Sequence, residues 1–277
     1  MSAAISRQDQ LLSHLFELAT STSPLPCVCL RATHSHAIKA FELSAPILAL
    51  PLRGYKRALD TDGWISIKPG EIFLASGPRS VDIEHIPDSQ SGEYIALSIA
   101  LDKTVLDAAR SLIAEPPRYA RGQIASIPIA ELCAPLLDWC TALLQGETMM
   151  ACHAMQGVVM RLYAMGYTSL LSEPPPTLAM RIRNMVAENP ARAWNSSDIE
   201  NALGMSGASL RRHLAAEGES LREIIADTRL AQALQLIYAT RLPIKSIAQR
   251  VGYASVSSFS KRFAARYGIE PSRIGNQ

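Results

Sequence analysis

The sequence predicts an α+β protein in which an N-terminal β-rich unit with appended helices precedes an all-helical unit. Short apolar runs separated by turn signals fill residues 27–100, and the apolar period becomes helical from Asp102 onward. Three consecutive prolines at residues 174–176 interrupt the helical pattern and favour a stiff, extended connection. Strands followed by uninterrupted helices are typical of two successive domains in one chain.

The chain has 277 residues, the length of about two ordinary domains. We expect a first domain at residues 1–172, a linker at 173–178 and a second domain at 179–277. The charge divides at the same point, since residues 1–172 carry 13 Lys and Arg against 16 Asp and Glu, and residues 173–277 carry 14 against 9. The basic second part is therefore the part expected to bind nucleic acid.

The first domain is predicted to begin with an amphipathic helix at residues 8–19 and to continue as a small sandwich or barrel. Turn signals such as Asp62-Gly63 and Pro69-Gly70 separate its apolar runs at the appropriate spacing. Strands are predicted at residues 28–30, 38–43, 47–52, 64–67, 71–75, 81–86 and 94–100, and helices at 102–114, 129–144 and 149–171.

Composition excludes several classes of protein. No uncharged apolar stretch approaches the ~20 residues of a membrane span, and the polar first ten residues lack the order of a signal peptide. The five cysteines are an odd number, which argues against a disulfide framework. We expect a cytoplasmic protein whose thiols pack as small apolar groups, although control by oxidation of Cys27 and Cys29 stays open.

The second domain is predicted to be helical throughout and to contain an internal repeat. Its helices are expected at residues 179–188, 198–203, 206–217, 221–239, 244–251 and 255–267. Each copy has a short helix, a glycine turn, a serine N-cap (Ser206 or Ser255) and a second helix, the arrangement of a helix-turn-helix. The positions that recur 48–50 residues later are Ile199, Gly204, Leu210, Leu214 and Gly218, which return as Ile247, Gly252, Phe259, Phe263 and Gly268.

The outward faces of the two second helices have the composition expected of DNA-recognition helices. Small side chains permit close approach to a major groove, and an arginine can donate two hydrogen bonds to a guanine edge. With the repeated apolar residues buried, the first face presents Ala208, Arg212 and Ala215, flanked by Ser209 and Arg211. The second presents Ser257, Lys261 and Ala264, flanked by Ser258 and Ser260.

Both copies carry the motifs of a known family. The first has WNSSDI at residues 194–199 and LGMS at 203–206. The second has IKSIAQRVGY at 244–253, FSKRF at 259–263 and GIEPS at 268–272. Over about residues 180–274 the chain resembles the DNA-binding domain of the AraC/XylS family.

The resemblance implies a bacterial transcription regulator rather than an enzyme, with two units joined by the helix at 221–239 and bound in major grooves roughly 34 Å apart. Its implied partners are promoter double-stranded DNA and RNA polymerase, without a cofactor and without a membrane. We expect an activator, although these residues do not distinguish activation from repression. The residues expected to contact DNA are Ala208, Ser209, Arg211, Arg212, Val256, Ser257, Ser260, Lys261 and Arg262.

The first copy departs from the family pattern at two places. Glu200 stands four residues before the turn glycine, where the family usually has the alanine that Ala248 supplies in the second copy. Gly207 and Ala208 begin the recognition helix with a weak helix former and a short side chain. We therefore expect the second copy to match the family geometry more closely.

Residues 24–172 resemble the cupin-like β-barrel that binds effectors and dimerises in many family members. The likeness is concentrated at Gly54-Tyr55-Lys56 and implies control by a small molecule, with control by a partner protein as the alternative. Arg53, Tyr55 and Lys56 are the candidate effector-binding residues, unless the basic side chains of this strand are simply solvated.

His34 and His36, with Glu42, are similar to the metal-binding motif of cupins. The spacing to Glu42 is one or two residues too long, and Ile72 or Phe73 stands where the motif has a further histidine. We expect no bound metal, and a cupin metalloenzyme fused to the helices is the alternative.

A homodimer is expected from two apolar stripes on the predicted helices of the first domain. Packing of the same stripes against the β-rich core is the alternative. The stripes consist of Leu132, Leu136 and Leu143, and of Met155, Val159 and Leu162.

Overall fold

A computed structural model of the chain describes residues 6–21, 25–43, 45–60, 63–77, 79–115, 117–120, 122–172 and 177–274. The chain divides into two compact units, Met1–Pro174 and Pro175–Gly275, the first with strands and helices and the second with helices. The α+β class is confirmed. Most of the predicted linker falls on residues 173–176, outside the described residues.

The strands of the N-terminal unit form two antiparallel sheets. The first sheet has the order β1-β8-β3-β6-β9 and the second has the order β2-β7-β4-β5. Within the described residues the sheets are not closed into a barrel, so the sandwich form of the prediction is the correct one. The strands are β1 Val28–Ala32, β2 His36–Leu43, β3 Ile47–Arg53, β4 Tyr55–Asp60, β5 Gly63–Ile67, β6 Glu71–Ala75, β7 Arg79–Ile86, β8 Tyr94–Ala100 and β9 Ile124–Pro128.

The first sheet is buried on both faces. On one face Leu48, Leu50 and Leu97 join a core formed with helices, while the alternating residue Ala49 is also buried and faces the second sheet. A strand buried on both faces needs a continuous apolar run, which is why β3 reads as ILALPLR. The second sheet alternates instead, since every second residue of β7 from Val81 onward is buried.

Four helices belong to the N-terminal unit, namely α1 Arg7–Thr20, α2 Lys103–Arg110, α3 Cys133–Leu144 and α4 Thr148–Ala164. The predicted helix at 129–144 begins as a 3₁₀ turn, Ile129–Leu132, and the one at 149–171 ends early. Gly166, with φ of 99°, follows α4 and leads to a second 3₁₀ turn, Thr168–Leu171. The sequence patterns did not predict β4 and β9, because β4 reads as a charged segment, YKRALD, and β9 is a short run, IASIP, that lies between two segments with a helical pattern.

The apolar stripes of α3 and α4 pack inside the unit. Leu132, Leu136, Met155, Val159 and Leu162 are buried in the core shared with α1 and the first sheet. The alternative explanation, core packing, is therefore the correct one, and these stripes give no support to a dimer.

The C-terminal unit consists of six α-helices and a final 3₁₀ turn among its described residues. Each predicted helix is found within two residues of its expected bounds. Of all the helices described here, none is both long enough and apolar enough to cross a bilayer. The helices are α5 Leu178–Glu188, α6 Ser196–Leu203, α7 Gly207–Ala216, α8 Leu221–Ala239, α9 Ile244–Arg250 and α10 Val256–Tyr267.

Candidate nucleic-acid interface

The first helix-turn-helix is formed by α6, Gly204 and α7. Gly204 has φ of 64° and ψ of 35°, a left-handed conformation that glycine adopts without a steric penalty, and it ends α6. The hydroxyl of Ser206 then accepts a hydrogen bond from the backbone N–H of Ser209 at 3.3 Å. This cap satisfies one of the unpaired donors at the start of α7, as the sequence predicted.

α7 presents a polar face opposite its buried Leu210 and Leu214. Among the described residues, neither Arg211 nor Arg212 has a carboxylate partner, so both guanidinium groups are available to an external acceptor. The hydroxyl of Ser209 lies 3.3 Å from Nδ1 of His213, which occupies part of its hydrogen-bonding capacity within the helix. The exposed residues of the predicted set on α7 are Ala208, Arg211 and Arg212.

The second helix-turn-helix is formed by α9, Gly252 and α10. Gly252 has φ of 83°, and a Cβ there would lie 2.8 Å from the carbonyl oxygen of Pro190 and 3.0 Å from the guanidinium carbon of Arg229. Ser255 caps α10 by accepting a hydrogen bond from the N–H of Ser258 at 3.1 Å. Glycine is therefore required at this turn by the backbone conformation and by close packing.

α10 buries an aromatic ladder and exposes a polar edge. Phe259, Phe263 and Tyr267 are buried, with consecutive ring centroids 5.5 Å and 4.8 Å apart. Ser260 is half-buried, whereas Arg266 lies within reach of Asp227, at 3.4 Å from its carboxylate, and acts inside the unit. The exposed members of the predicted set on α10 are Val256, Ser257, Lys261 and Arg262.

Arg229 of α8 connects the two helix-turn-helix units. Its Nε donates to the carbonyl of Pro190 at 2.9 Å, and its Nη2 donates to the carbonyl of Arg192 at 2.7 Å. The same guanidinium packs against Gly252 in the second turn. A side chain of α8 thus ties the segment before α6 to the turn before α10.

A cationic concavity of about 380 Å³ lies beside this connection. Arg222, Arg229 and Arg262 line it together with the aromatic side chains of Trp194 and Tyr253, and none of its described lining residues is a carboxylate. Sequence reasoning missed Arg222 and Tyr253 as possible anion contacts because the lining residues are up to 68 positions apart in the chain. Guanidinium groups on a concave surface suit a phosphate oxygen.

The two departures of the first copy from the family pattern, at Glu200 and at Gly207, lie next to each other in the structure. A Cβ on Gly207 would lie 2.6 Å from Oε1 of Glu200, so the glutamate side chain fills the space beside the glycine. Ser196 donates to the same carboxylate oxygen at 2.5 Å and holds it there. The larger residue at 200 and the smaller one at 207 therefore compensate each other between α6 and α7.

The effector candidates of the N-terminal unit do not share one environment. Arg53 is exposed and pairs with Glu93 at 2.6 Å, and Tyr55 is half-buried. Lys56, in contrast, is 4% exposed and lies among His85, Phe73 and other interior side chains. The alternative that the basic side chains of this strand are simply solvated holds for Arg53, but it is wrong for Lys56.

The two candidate metal ligands, His34 and His36, also lie in different environments. His34 is exposed, whereas His36 is buried beside His85, at 3.2 Å between ring nitrogens. No cluster of three or more His, Cys, Asp or Glu side chains is placed to hold a metal ion among the described residues. The side chain of Glu42 lies outside the described set.

Cys27 and Cys29, the candidates for control by oxidation, are half-buried. Burial, with a smaller contribution from neighbouring Cys29, raises the pKa of Cys27 to about 11. Burial likewise raises the pKa of Cys29. Since the thiolate is the form that oxidants attack, both groups are poorly suited to redox sensing.

A family model described as a helix-turn-helix domain matches residues 199–277. The urease operon transcriptional activator of Escherichia coli is 24% identical over 196 residues, which are 67% of this chain and 64% of that protein. The activator FapR of Escherichia coli is 35% identical over 106 residues, 38% of this chain and 41% of that protein. The matched parts thus span only about half the length of these relatives.

Among solved structures, fatty acid-bound ToxT from Vibrio cholerae covers 91% of this chain and 94% of its own, with a TM-score of 0.63 and 16% identity. At this identity the likeness shows the fold, a β-rich N-terminal part followed by a helical C-terminal part. The family model covers the segment that carries both glycine turns and the helices α7 and α10. Through its helical C-terminal part the chain is thus similar to bacterial transcriptional activators that carry a helix-turn-helix domain.

Proposed function

We propose that the chain is a sequence-specific DNA-binding regulator of transcription, in which α7 and α10 read promoter DNA. One observation carries the proposal. Two helices, each placed by a left-handed glycine and a serine cap, expose long cations among small residues and pair none of those cations with a carboxylate in the described chain. Such faces fit a major groove, where base edges and phosphates supply the missing acceptors.

The exposed residues divide into base-reading and phosphate-binding groups. Arg212 and Lys261 lie at the centres of the two faces and are assigned to base edges, where a bidentate contact contributes ~1–3 kcal/mol of discrimination. Arg211 and Arg262 flank them and are assigned to phosphates, with Arg222 in the adjacent concavity as a further phosphate contact. Ala208, Ser209, Val256, Ser257 and Ser260 complete the assigned interface.

The N-terminal unit is proposed to bind a small-molecule effector that controls DNA binding. The two-sheet fold supports this, because the structurally similar ToxT has been solved with an unsaturated fatty acid bound. Relatives described as transcriptional activators support activation, with RNA polymerase as the proposed partner. Homodimerisation, a cytoplasmic location and the lack of catalysis belong to the same proposal.

The proposal is tested by electrophoretic mobility shift with genomic fragments and excess competitor DNA. Retention of particular fragments against competitor is expected, since any cationic protein shows salt-dependent binding but only specific binding resists competition. Equal displacement of all fragments would contradict it.

Arg212→Ala and Lys261→Ala are each expected to weaken specific binding by ~1–3 kcal/mol and to relax base preference. Arg262→Ala is expected instead to weaken specific and nonspecific binding alike and to lower the slope of log K against log salt by about one. Lys103→Ala removes an exposed charge from α2 of the other unit and serves as the matched control. Unchanged affinity and base preference in both Arg212 and Lys261 variants would show that the recognition faces are wrongly assigned.

A further inference from the structure

An open groove of about 570 Å³, which we call the α3–α4 groove, lies along the outer sides of α3 and α4 in the N-terminal unit. Its lining residues recur at helical spacing, with Asp138 and Gln145 two turns apart on α3, and Met150 and Gly157 two turns apart on α4. At 1.5 Å per residue, the stretch of α4 from Met150 to Met160 makes the groove about 15 Å long. This is the length of roughly three helical turns.

Large apolar side chains are exposed along the α3–α4 groove. Leu112 and Met150 line it and are 65% and 54% exposed, and Met149, next to Met150 in the chain, is 86% exposed. Leu137 and Met160 continue the apolar lining at half-buried positions. An exposed apolar surface with polar residues around it is typical of a binding site for another protein, and flexible methionine side chains adapt to a partner.

Gly157 keeps the groove open at the expense of helix propensity. It is an exposed residue inside the 17-residue helix α4, where alanine is more favourable than glycine. A Cβ at this position would lie 3.6 Å from Cβ of Pro135, which is an ordinary van der Waals contact. The packing of α3 against α4 therefore does not require glycine, and the missing side chain leaves room in the groove.

The carboxylates that line the groove lack cationic partners. Asp138 and Glu147 are exposed beside the exposed His153, and neither carboxylate has an ion pair with a described residue. None of the described lining residues is a lysine or an arginine. The groove thus combines an apolar surface with uncompensated negative charge, which favours an occupant that is both apolar and cationic.

The open shape of the groove favours a segment of a macromolecule over a small molecule. Eight of its fifteen lining residues are exposed, so a small ligand would leave much of its surface in water. A third helix laid along two packed helices instead buries a continuous apolar face between them. An amphipathic helix does so with anchors at positions i, i+3 or i+4, and i+7.

A second copy of the chain offers no free helix of this kind among its described residues. Each described α-helix already buries apolar side chains within its own chain, as Leu15 of α1 and Leu234 of α8 show. Two copies placed groove against groove would bring the carboxylates of Asp138 and Glu147 from both chains together without a lining lysine or arginine. Like charges at an interface oppose association.

We propose that the α3–α4 groove binds a cationic amphipathic helix of a separate protein. The apolar side of that helix packs on Leu112 and Met150 and over Gly157, and its lysine or arginine side chains pair with Asp138 and Glu147. The inference adds a protein partner to the proposed regulator. The binding itself does not depend on DNA recognition by the C-terminal unit.

The test titrates the full-length protein into a fluorescein-labelled peptide of about 14 residues, long enough to form three helical turns. The peptide consists of leucine and lysine, with the leucines on one helical face. One comparison peptide has the same composition in an order that gives no apolar face, and another has glutamate in place of lysine. Fluorescence anisotropy is expected to show at least tenfold tighter binding of the cationic amphipathic peptide. Equal binding of either comparison peptide would overturn the proposal.

Two variants assign the binding to the groove. Gly157→Lys fills the groove, adds a positive charge and improves helix propensity, so it should weaken peptide binding at least tenfold while the protein stays at least as heat-stable as before. Asp138→Asn should weaken binding severalfold and reduce its dependence on salt. Glu188→Gln, at an exposed glutamate of α5 in the other unit, is the matched control and should bind the peptide unchanged. Unchanged peptide affinity in the Gly157 variant would overturn the proposal.

Sedimentation velocity and DNA binding separate this inference from its alternatives. The Gly157 variant should have the same oligomeric state as the unmodified protein and should retain specific DNA binding. A dimer of the unmodified protein that becomes a monomer in the Gly157 variant would identify a second copy as the occupant and overturn the proposal. Loss of specific DNA binding in the unmodified protein would instead refute the proposed function, while the peptide titration still decides the role of the groove.

Discussion

At the residue scale, single side chains decide whether a family pattern is kept or compensated. Glu200 is an exception to the family sequence, but Gly207 provides the space that its carboxylate occupies. Neither residue is unusual alone in a helix surface, and only their contact shows that they belong together. The weak helix start at Gly207 thus leaves room for the Glu200 carboxylate of α6, which is the movable end of a flexible side chain.

The contact predicts a coupling between the two positions. Gly207→Ala should gain helix propensity but displace the Glu200 carboxylate from Ser196, so that it does not stabilise the protein. In a Glu200→Ala background the same substitution should stabilise it by about 0.5–1 kcal/mol. Urea unfolding of the four proteins of this cycle, followed by circular dichroism, measures the difference. Equal effects of Gly207→Ala in both backgrounds would show that the carboxylate does not restrict residue 207.

The buried amine of Lys56 predicts a pH dependence of stability. Its pKa of about 8 in the folded protein lies below the ordinary value of 10.5, so the unfolded chain binds more protons between these limits. The stability of the unmodified protein, relative to Lys56→Met, should therefore rise between about pH 8 and pH 10.5, by about 3 kcal/mol in all. Only the difference between the two proteins is informative, because Cys27 and Tyr94 have raised pKa values and oppose the trend.

Thermal unfolding of both proteins from pH 7 to pH 10.5 tests this expectation. Below pH 8 the free-energy cost of burying the charged Lys56 amine is fully present in the unmodified protein. A stability difference independent of pH would mean that the Lys56 amine is as well compensated in the fold as in water.

At the element scale, the two glycine turns have the same role but different tolerance. Gly204 has open space around its missing Cβ, so its positive φ alone favours glycine. Gly252 has a positive φ and is also packed against Pro190 and Arg229. The second turn is therefore a point where α8, α9 and the segment before α6 meet.

Alanine substitution should separate these effects. Gly204→Ala is expected to cost about 1 kcal/mol from backbone strain alone. Gly252→Ala is expected to cost roughly 2–4 kcal/mol, because the new Cβ also meets a carbonyl oxygen and displaces the Arg229 guanidinium. Chemical unfolding of the full-length variants compares the two, and equal costs would show that the packing at Gly252 contributes nothing.

At the scale of the whole molecule, charge and chemistry are divided between the two units. The C-terminal unit exposes cations without a described carboxylate partner on α7 and α10, whereas the N-terminal unit buries one such cation, Lys56, on the interior face of its second sheet. The first arrangement suits a long polyanion that is approached from solvent. In the second, burial lowers the pKa of the amine to about 8.

The sequence by itself determined the α+β class, the six C-terminal helices and the two recognition faces. It could do so because these features depend on local signals, namely glycine turns, serine caps and apolar residues at helical spacing, which repeat within one segment of the chain. The faces it predicted on α7 and α10 are mostly exposed, with Ser209, Ser260 and Ala264 half-buried, and their contacts with DNA stay a prediction.

The tertiary structure alone decided which apolar stripes are core, how the strands divide into two sheets, and which polar residues meet. Leu136 and Val159 have the same pattern whether they face a partner or the interior, and only packing distinguishes the two. Lys56, His85 and Tyr94 lie on three different strands and become neighbours through sheet pairing and sheet stacking, which no local signal in the sequence records. The physical reason is that helix caps and turns act over a few residues, whereas a buried cluster depends on long-range strand order.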